Sequence, residues 1–457
     1  MAVDYPTASA AALAAALAAG EVSALELFET AVARIEALDG PINAVVVRDF
    51  ERARAAALAA DAALARGERA PLLGVPMTVK EAFHIPGLPT TWGLAPFKNW
   101  TPPYEATGVS RLKAAGAVIL GKTNVPPFLA DWQSDNPVYG RTNNPLDLGR
   151  SPGGSSGGSA AALAAGFVPL EFGSDIGGSI RIPAHFCGVF GHKPSYGVIP
   201  LTGHAPPPFI APGAPPEFAV VGPLARTAAD LDLALSVLAG PDGEAAKAYR
   251  LALPPPRAQR IADFRVLVLD RHPLAEVDDE VIGVLHALAE RLERAGARVA
   301  RASERLPDLA AAHGGYMTML GTIMSRGAES SALGGGGVID AHAWMGGLDA
   351  CVGVRRGWAG LFEDFDVVLA PPLGVAAFPH DASPDPTTRT VTINGAQTPY
   401  FAQLAWPGVA TYAGLPATCV PAGRTAAGLP VGVQIIGPYL EDRTTIALAG
   451  LIETALD

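Results

Sequence analysis

Cysteine is scarce in this 457-residue chain: Cys187, Cys351 and Cys419 are its only three, widely spaced and odd in number. Such a set builds no disulfide frame, suits a reducing compartment and leads us to expect a cytoplasmic protein. Charge is sparse as well, at 17% of residues, and its balance is acidic, with a formal net charge of −11. No basic patch is visible that would meet a phosphate backbone, so no nucleic-acid partner is expected. The opening residues MAVDYPTAS hold an acid and no lysine or arginine, unlike the positive start of a secretory leader. The alanine-rich stretch 8–19 is short of the roughly 20 apolar residues a membrane span needs, and no membrane partner is expected.

Apolar residues are plentiful, at 49%, enough for a large core. Residues 7–40 read as two helices. In the second, Ser23-Ala24-Leu25-Glu26 forms a capping box, and Leu25, Leu27, Phe28, Val32, Ile35 and Leu38 recur at helical spacing up to Gly40. Residues 51–65 read as a third, alanine-rich helix. Beyond them strands and helices alternate: helix 109–115 into strand 117–120, helix 228–239, strand 265–269 (RVLVL), helix 278–295 and a further short segment at 298–300. Alternation of this kind predicts an α/β fold, a sheet covered by helices.

Two glycine-flanked serines, Ser155 and Ser179, stand twenty-four residues apart in RSPGGSSGGSAAALAAGFVPLEFGSDIGGSIR. Small neighbours let the backbone crowd a ligand, so main-chain N–H groups can meet a developing negative charge. A serine hydroxyl needs a neighbouring base before it attacks. Lys80 ends the apolar run Leu73-Gly74-Val75-Pro76-Met77-Thr78-Val79, which reads as a short buried strand whose end is where sites of open α/β sheets collect. An amine there loses hydration, which disfavours its charged form and frees it as a base, although its ordinary pKa is about 10.4. Taken alone, Lys80 reads more plainly as a surface lysine with a packed stem.

The chain resembles the amidase signature family along most of its length. The resemblance is carried by GVPMTVKE, GKTNVPPF, GRTNNPLD, the double-serine block, GVFGHKPSYG, VGPLART, AGLPATCVPAG and GLPVGVQIIG. It implies one compact domain over residues 1–457 around a large mixed sheet, with N-terminal helices at about 7–65 and variable pocket regions at about 200–220 and 305–360. It implies Ser179 as nucleophile, Ser155 as bridging serine and Lys80 as general base. The main-chain amides of Ile176, Gly177, Gly178 and Ser179 are then the oxyanion hole, and the Gly154–Ser155 peptide bond is cis. Ser156, Asp175 and Arg181 follow as supporting residues. No metal or other cofactor is implied.

Other readings compete at particular residues. Gly153-Gly154-Ser155-Ser156-Gly157 fits the G-x-S-x-G elbow of α/β-hydrolases, but that elbow follows a strand, and residues 143–152 read as loop. His185 and His192 invite a Ser-His reading, yet packed imidazoles are the plainer one; Cys187, in FCGVF, reads as an inert core thiol. Trp132 and Gln133 replace small residues at the corresponding family position, which places them at the pocket wall. The stretch 314–326 (GGYMTMLGTIMSR), with Tyr316 and Met319, and Trp344-Met345 read either as pocket lining or as helix core with methionine filler. Within the proline-dense loop 200–216, the prolines from Pro206 to Pro216 read as a lid. Such a pocket suits aryl or alkyl amides and anilides, and also esters or carbamates (urethanes). The free-standing enzyme is expected as a monomer or homodimer. The alternative implied by the same resemblance is an amidotransferase component that releases ammonia from glutamine within a tRNA-dependent complex; the unusual 200–216 loop argues for a different substrate.

Overall fold

Alternating apolar strands and helices build a single α/β domain in the computed structural model, which describes residues 4–211, 213–325 and 339–456. Its mixed sheet has eleven strands among the described residues. In chain order these are β1 (Val45–Arg48), β2 (Pro76–Lys80), β3 (Val118–Thr123), β4 (Leu170–Asp175), β5 (Phe190–Lys193), β6 (Val220–Ala225), β7 (Arg265–Val268), β8 (Arg298–Ala300), β9 (Val367–Ala370), β10 (Ala417–Arg424) and β11 (Pro430–Ile436). Across the sheet they run β1-β3-β2-β4-β6-β5-β10-β11-β9-β7-β8. β3, β2 and β4 are mutually parallel, as are β9, β7 and β8, whereas the pairs between β4 and β9 are antiparallel. Every residue of β2, β3, β4, β6 and β11 is buried, as expected where helices cover both faces. The partly exposed β1 and β8 lie at the two edges.

The local signals in the sequence act as read, with small shifts at the boundaries. Ser23 caps helix Ala24–Ile42, and the reciprocal Ser23–Glu26 box is present. That helix carries Gly40 and Pro41 within its last turn and stops at Asn43 in the left-handed region (φ 58°), beyond the expected Gly40. Helices Ala10–Ala19, Phe50–Ala65, Thr107–Ala114, Ala228–Leu238 and Asp279–Arg294 stand where helices were expected. One strand needs correction: β2 starts at Pro76, because the chain turns before it at Gly74 (φ +83°). Lys80 is therefore the last residue of β2 itself. No helix of the described residues is long and apolar enough to cross a membrane.

The parallel pairing of β2 with β4 places Thr78 opposite Glu171 and Val79 opposite Phe172. The C-terminal ends of these two strands, Lys80 and Asp175, therefore emerge at the same edge of the sheet. The loop 151–156 and the loop after Asp175 meet there, because the Ser156 N–H donates to the carbonyl of Ser179 at 3.1 Å.

Candidate active site

Lys80 is fully buried, and its Nζ lies 2.6 Å from Ser155 Oγ. The same amine is 2.9 Å from Ser174 Oγ and 3.5 Å from the Ser174 carbonyl. Burial pushes its pKa well below the usual lysine range, with the Asp175 carboxylate working in the opposite direction. A neutral amine has two N–H donors and one lone pair. With the amine in that form and Ser174 offering two acceptors, the lone pair would be left for the Ser155 hydroxyl. Ser174 escaped the sequence reading, although a signal existed: it is a third hydroxyl in the serine-rich block, next to Asp175 and five residues ahead of Ser179.

Ser155 follows a cis Gly154–Ser155 peptide bond. Gly154 is required by packing, since a Cβ there would stand 2.3 Å from the Asp131 carbonyl oxygen. Residues 151–153 ahead of it lie outside any strand, and helix Gly157–Ala164 follows, so the strand that a nucleophile elbow needs is missing. Ser156 is a buried strut: its Oγ donates to the Ser174 carbonyl at 3.3 Å and accepts the Ser174 N–H at 3.4 Å.

Ser179 shares a cavity of about 500 Å³ with Ser155, Ser174 and Ile176. Lys80 and Ser155 are in hydrogen-bond contact, whereas no hydrogen bond joins Ser155 Oγ to Ser179 Oγ in this structure. Catalytic contacts of this kind commonly tighten only with substrate in place. Of the four expected oxyanion amides, Gly178 gives its N–H to Asp175 Oδ1 at 2.9 Å. Those of Ile176, Gly177 and Ser179 meet no acceptor among the described residues. Gly178 is held at φ +91°, and a Cβ there would stand 2.5 Å from Ile182 Cδ1; glycine is needed for the turn.

Asp175 and Arg181 brace this loop from below, both buried. Asp175 also accepts the Ile180 N–H at 3.0 Å. All five donors of the guanidinium find acceptors: Nε and Nη2 on Asp175 (3.1 and 2.9 Å), Nη2 also on Thr411 Oγ1, and Nη1 on the Pro407 carbonyl and Gln434 Oε1. Burial alone would raise the Asp175 pKa; the Arg181 charge and the hydrogen bonds override it and bring it to about 2. Its contribution to stability is therefore complete above the unfolded value near 3.8 and is lost as pH falls through about 2. Asp175→Asn leaves Arg181 buried and uncompensated, so a loss of about 3–5 kcal/mol is expected in urea unfolding. A loss under about 1 kcal/mol would show the pair to be dispensable.

The four residues expected to wall the pocket do not line the cavity, and that expectation is corrected. Trp132, Tyr316 and Met319 belong to a buried hydrophobic cluster. Trp132 Nε1 donates to the Gly177 carbonyl at 2.9 Å, and Tyr316 Oη to that of Ile176 at 2.7 Å. Gln133 is buried and straps Asp381 through both ends of its amide (3.1 and 2.8 Å). These side chains back the loop that carries Ser179 and do not line the cavity. Spacing along the chain could not separate the two cases.

The cavity walls come from elsewhere. Trp92, Phe128, Leu129, Ile199, Phe209 and Met324 line it, together with much of the proline-dense loop 200–216, of which Pro212 lies outside the described residues. Of the methionine-rich stretch, Ile323 and Met324 reach the cavity, and Met345 is exposed. Arg326 lies outside the described residues, as do 327–338 of the second variable region. Trp92, Phe128 and Leu129 adopt left-handed backbone (φ 50°, 54° and 60°), at about 1–2 kcal/mol each. Trp92 is held there by Glu81, which accepts the N–H groups of Thr91 and Trp92 at 2.6 and 3.0 Å.

The two histidines near Ser179 in sequence are engaged elsewhere. His185 bridges the Val375 carbonyl (2.9 Å) and the Gly432 N–H (2.6 Å), and burial lowers its pKa to about 4. His192 sits between Thr418 Oγ1 and Asp442 Oδ1. Cys187 is buried, its Sγ 3.4 Å from the Pro152 carbonyl. Among the described residues no group of three or more His, Cys, Asp or Glu side chains converges to hold a metal ion.

Comparison with known proteins bears on the family and the fold. The family model described as Amidase matches residues 26–326 and 347–446. AmiB2 of Mycobacterium bovis, described as a putative amidase, is 36% identical over 475 residues, covering 99% of this chain and 97% of that protein. A glutamyl-tRNA(Gln) amidotransferase component of Roseiflexus castenholzii is 33% identical over 479 residues, covering 96% and 94%. Among solved structures, a bacterial aryl acylamidase of the amidase signature family superposes with a TM-score of 0.84 at 27% identity, covering 98% of this chain and 96% of that one. With its fold, its serine-rich loops and both stretches of the family model in agreement, the chain belongs to the amidase signature family.

Proposed function

We propose that this protein is a serine amidohydrolase that opens the C–N bond of carboxylic amides bearing an apolar acyl or amine part, with esters and carbamates following the same course. The observation that carries the reading is the buried Lys80 amine 2.6 Å from Ser155 Oγ, beside an apolar-walled cavity that also holds Ser179. Lys80, neutral because it is desolvated, takes the Ser155 proton. Ser155 takes that of Ser179, whose Oγ bonds to the substrate carbonyl carbon. The negative oxygen that results is met by loop amides of Ile176, Gly177 and Ser179. The relay then reverses: Ser155 protonates the departing amine as the C–N bond breaks, leaving an ester on Ser179. Water enters by the same path and releases the acid.

The competing reading, glutamine as ammonia donor, draws on the similarity to the amidotransferase relative. Glutamine presents an α-carboxylate that a site ordinarily meets with arginine or lysine. No Lys or Arg is among the described residues lining the cavity. The purified chain, assayed against anilides, aliphatic amides, esters, carbamates and glutamine, is therefore expected to favour apolar amides over glutamine by about a hundredfold or more in kcat/KM. Glutamine as the best substrate, hydrolysed only with partner proteins present, would reverse the assignment.

A further inference from the structure

The nucleophile loop is gripped by its carbonyls. Tyr316, from helix Leu309–Ser325, donates to the carbonyl of Ile176, and Trp132, from the distant loop after Leu129, donates to that of Gly177. We propose that Tyr316 and Trp132 are positioning residues for oxyanion stabilisation: Tyr316 aims and polarises the peptide unit that carries the Gly177 N–H, and Trp132, together with Asp175 on the Gly178 N–H, anchors the next unit so that the flanking Gly177 and Ser179 amides keep their direction; the proposal rests on the amidohydrolase reading above.

The peptide unit is planar and trans, so its C=O and the following N–H point to opposite sides. Holding the Ile176 carbonyl on Tyr316 turns the Gly177 N–H away from the Tyr316 side of the loop. Holding the Gly177 carbonyl on Trp132 fixes the next unit, whose N–H is the one that reaches Asp175 Oδ1 at 2.9 Å. Two successive units are thus tied at both carbonyls and at one amide. Donation from Tyr316 to the Ile176 carbonyl also polarises that unit and makes the Gly177 N–H a stronger donor. Both side chains are buried, at 0% and 4% exposure, so water does not compete for these bonds.

The packing around Tyr316 makes the hydroxyl separable from the ring. Its ring neighbours Phe218 and Tyr412 at centroid distances of 6.3 and 6.5 Å and lies over Gly408, where a Cβ would meet it at 2.9 Å. Burial raises the phenol's pKa, so it remains a donor throughout the neutral range. Tyr316→Phe thus removes one hydrogen bond and keeps the ring.

The test compares Tyr316→Phe and Trp132→Phe with the unaltered protein and with Ser179→Ala, measuring kcat and KM on an anilide, affinity for a trifluoromethyl ketone that forms a tetrahedral adduct, and thermal melting. Each positioning variant is expected to lose roughly ten- to hundredfold in kcat, to change KM by less than about threefold, and to bind the ketone more weakly by the same factor as kcat/KM. Either variant suffices if the other melts below the assay temperature. Unchanged kcat and ketone affinity, or a loss confined to KM or to melting temperature, in an enzyme whose Ser179→Ala variant is inert overturns the clamp alone. Turnover that survives Ser179→Ala overturns the amidohydrolase reading and the clamp with it.

Discussion

Ser179→Ala is expected to reduce kcat by about five to six powers of ten, to the residual level left when a nucleophile is removed from an otherwise intact site. The fold should hardly notice. Ser179 lies in the cavity wall, no hydrogen bond of its hydroxyl to another described group is found, and its backbone contact to Ser156 survives the substitution. Unfolding free energy should therefore stay within about 1 kcal/mol of the parent protein. A sulfonyl fluoride or organophosphate should label the parent once per chain, at Ser179, and should not label the variant. Labelling at Ser155 instead, with Ser179→Ala still turning over, would exchange the roles of the two serines.

Lys80→Met is the second large effect: a loss of several powers of ten in kcat/KM, because methionine keeps the volume and removes the lone pair. The pH profile carries the sign. Protonation of Lys80 as pH falls removes the base, so rate rises with pH through the folded-state ionisation. Burial displaces that limb to the acid side of the ordinary lysine range. Stability follows the same group. Its folded pKa is depressed, so between the folded value and about 10.4 the unfolded chain binds more protons, and the lysine form gains stability relative to Lys80→Met as pH rises through that window. Urea unfolding of both proteins at several pH values checks this. Parallel stability curves, or a Lys80→Met variant active at pH 7, would remove the buried-base mechanism.

The two serines themselves differ in a way that explains why only one is the expected nucleophile. Ser155 is bonded to Lys80 on one side and is nearly sealed, at 1% exposure, while Ser179 opens onto the cavity at 5%. In the proposed mechanism the proton passes inward from Ser179 through Ser155 to Lys80 once substrate closes the Ser155–Ser179 gap, and the substrate carbonyl meets Ser179. Ser156 ties the two loops together through its N–H on the Ser179 carbonyl and its hydroxyl on Ser174. The pair is thus mounted as a unit on the ends of β2 and β4.

Much of this is legible in the sequence. The capping box at Ser23 and the 3.6-residue apolar period locate the second helix, because caps and periodicity are local properties of the chain. The apolar run ending at Lys80 marks a buried strand end, and glycines around Ser155 and Ser179 mark crowded backbone. Trp132, Gln133, Tyr316 and Met319 mislead for a physical reason. An aromatic beside an active-site motif can face the ligand or back the loop that faces it, and both uses leave the same trace in sequence.

Residue chemistry, local elements and family membership were therefore determined by the amino-acid order alone, since each depends on neighbours a few positions away or on motifs read whole. Only the tertiary structure decided that β2 lies beside β4, that Ser174 shares the Lys80 amine, that Arg181 exhausts its donors below the loop carrying Ser179, and that Tyr316 reaches Ile176 across 140 residues of chain. Those facts arise from strand order and from the exclusion of water around buried polar groups, and neither is written in any local window of sequence.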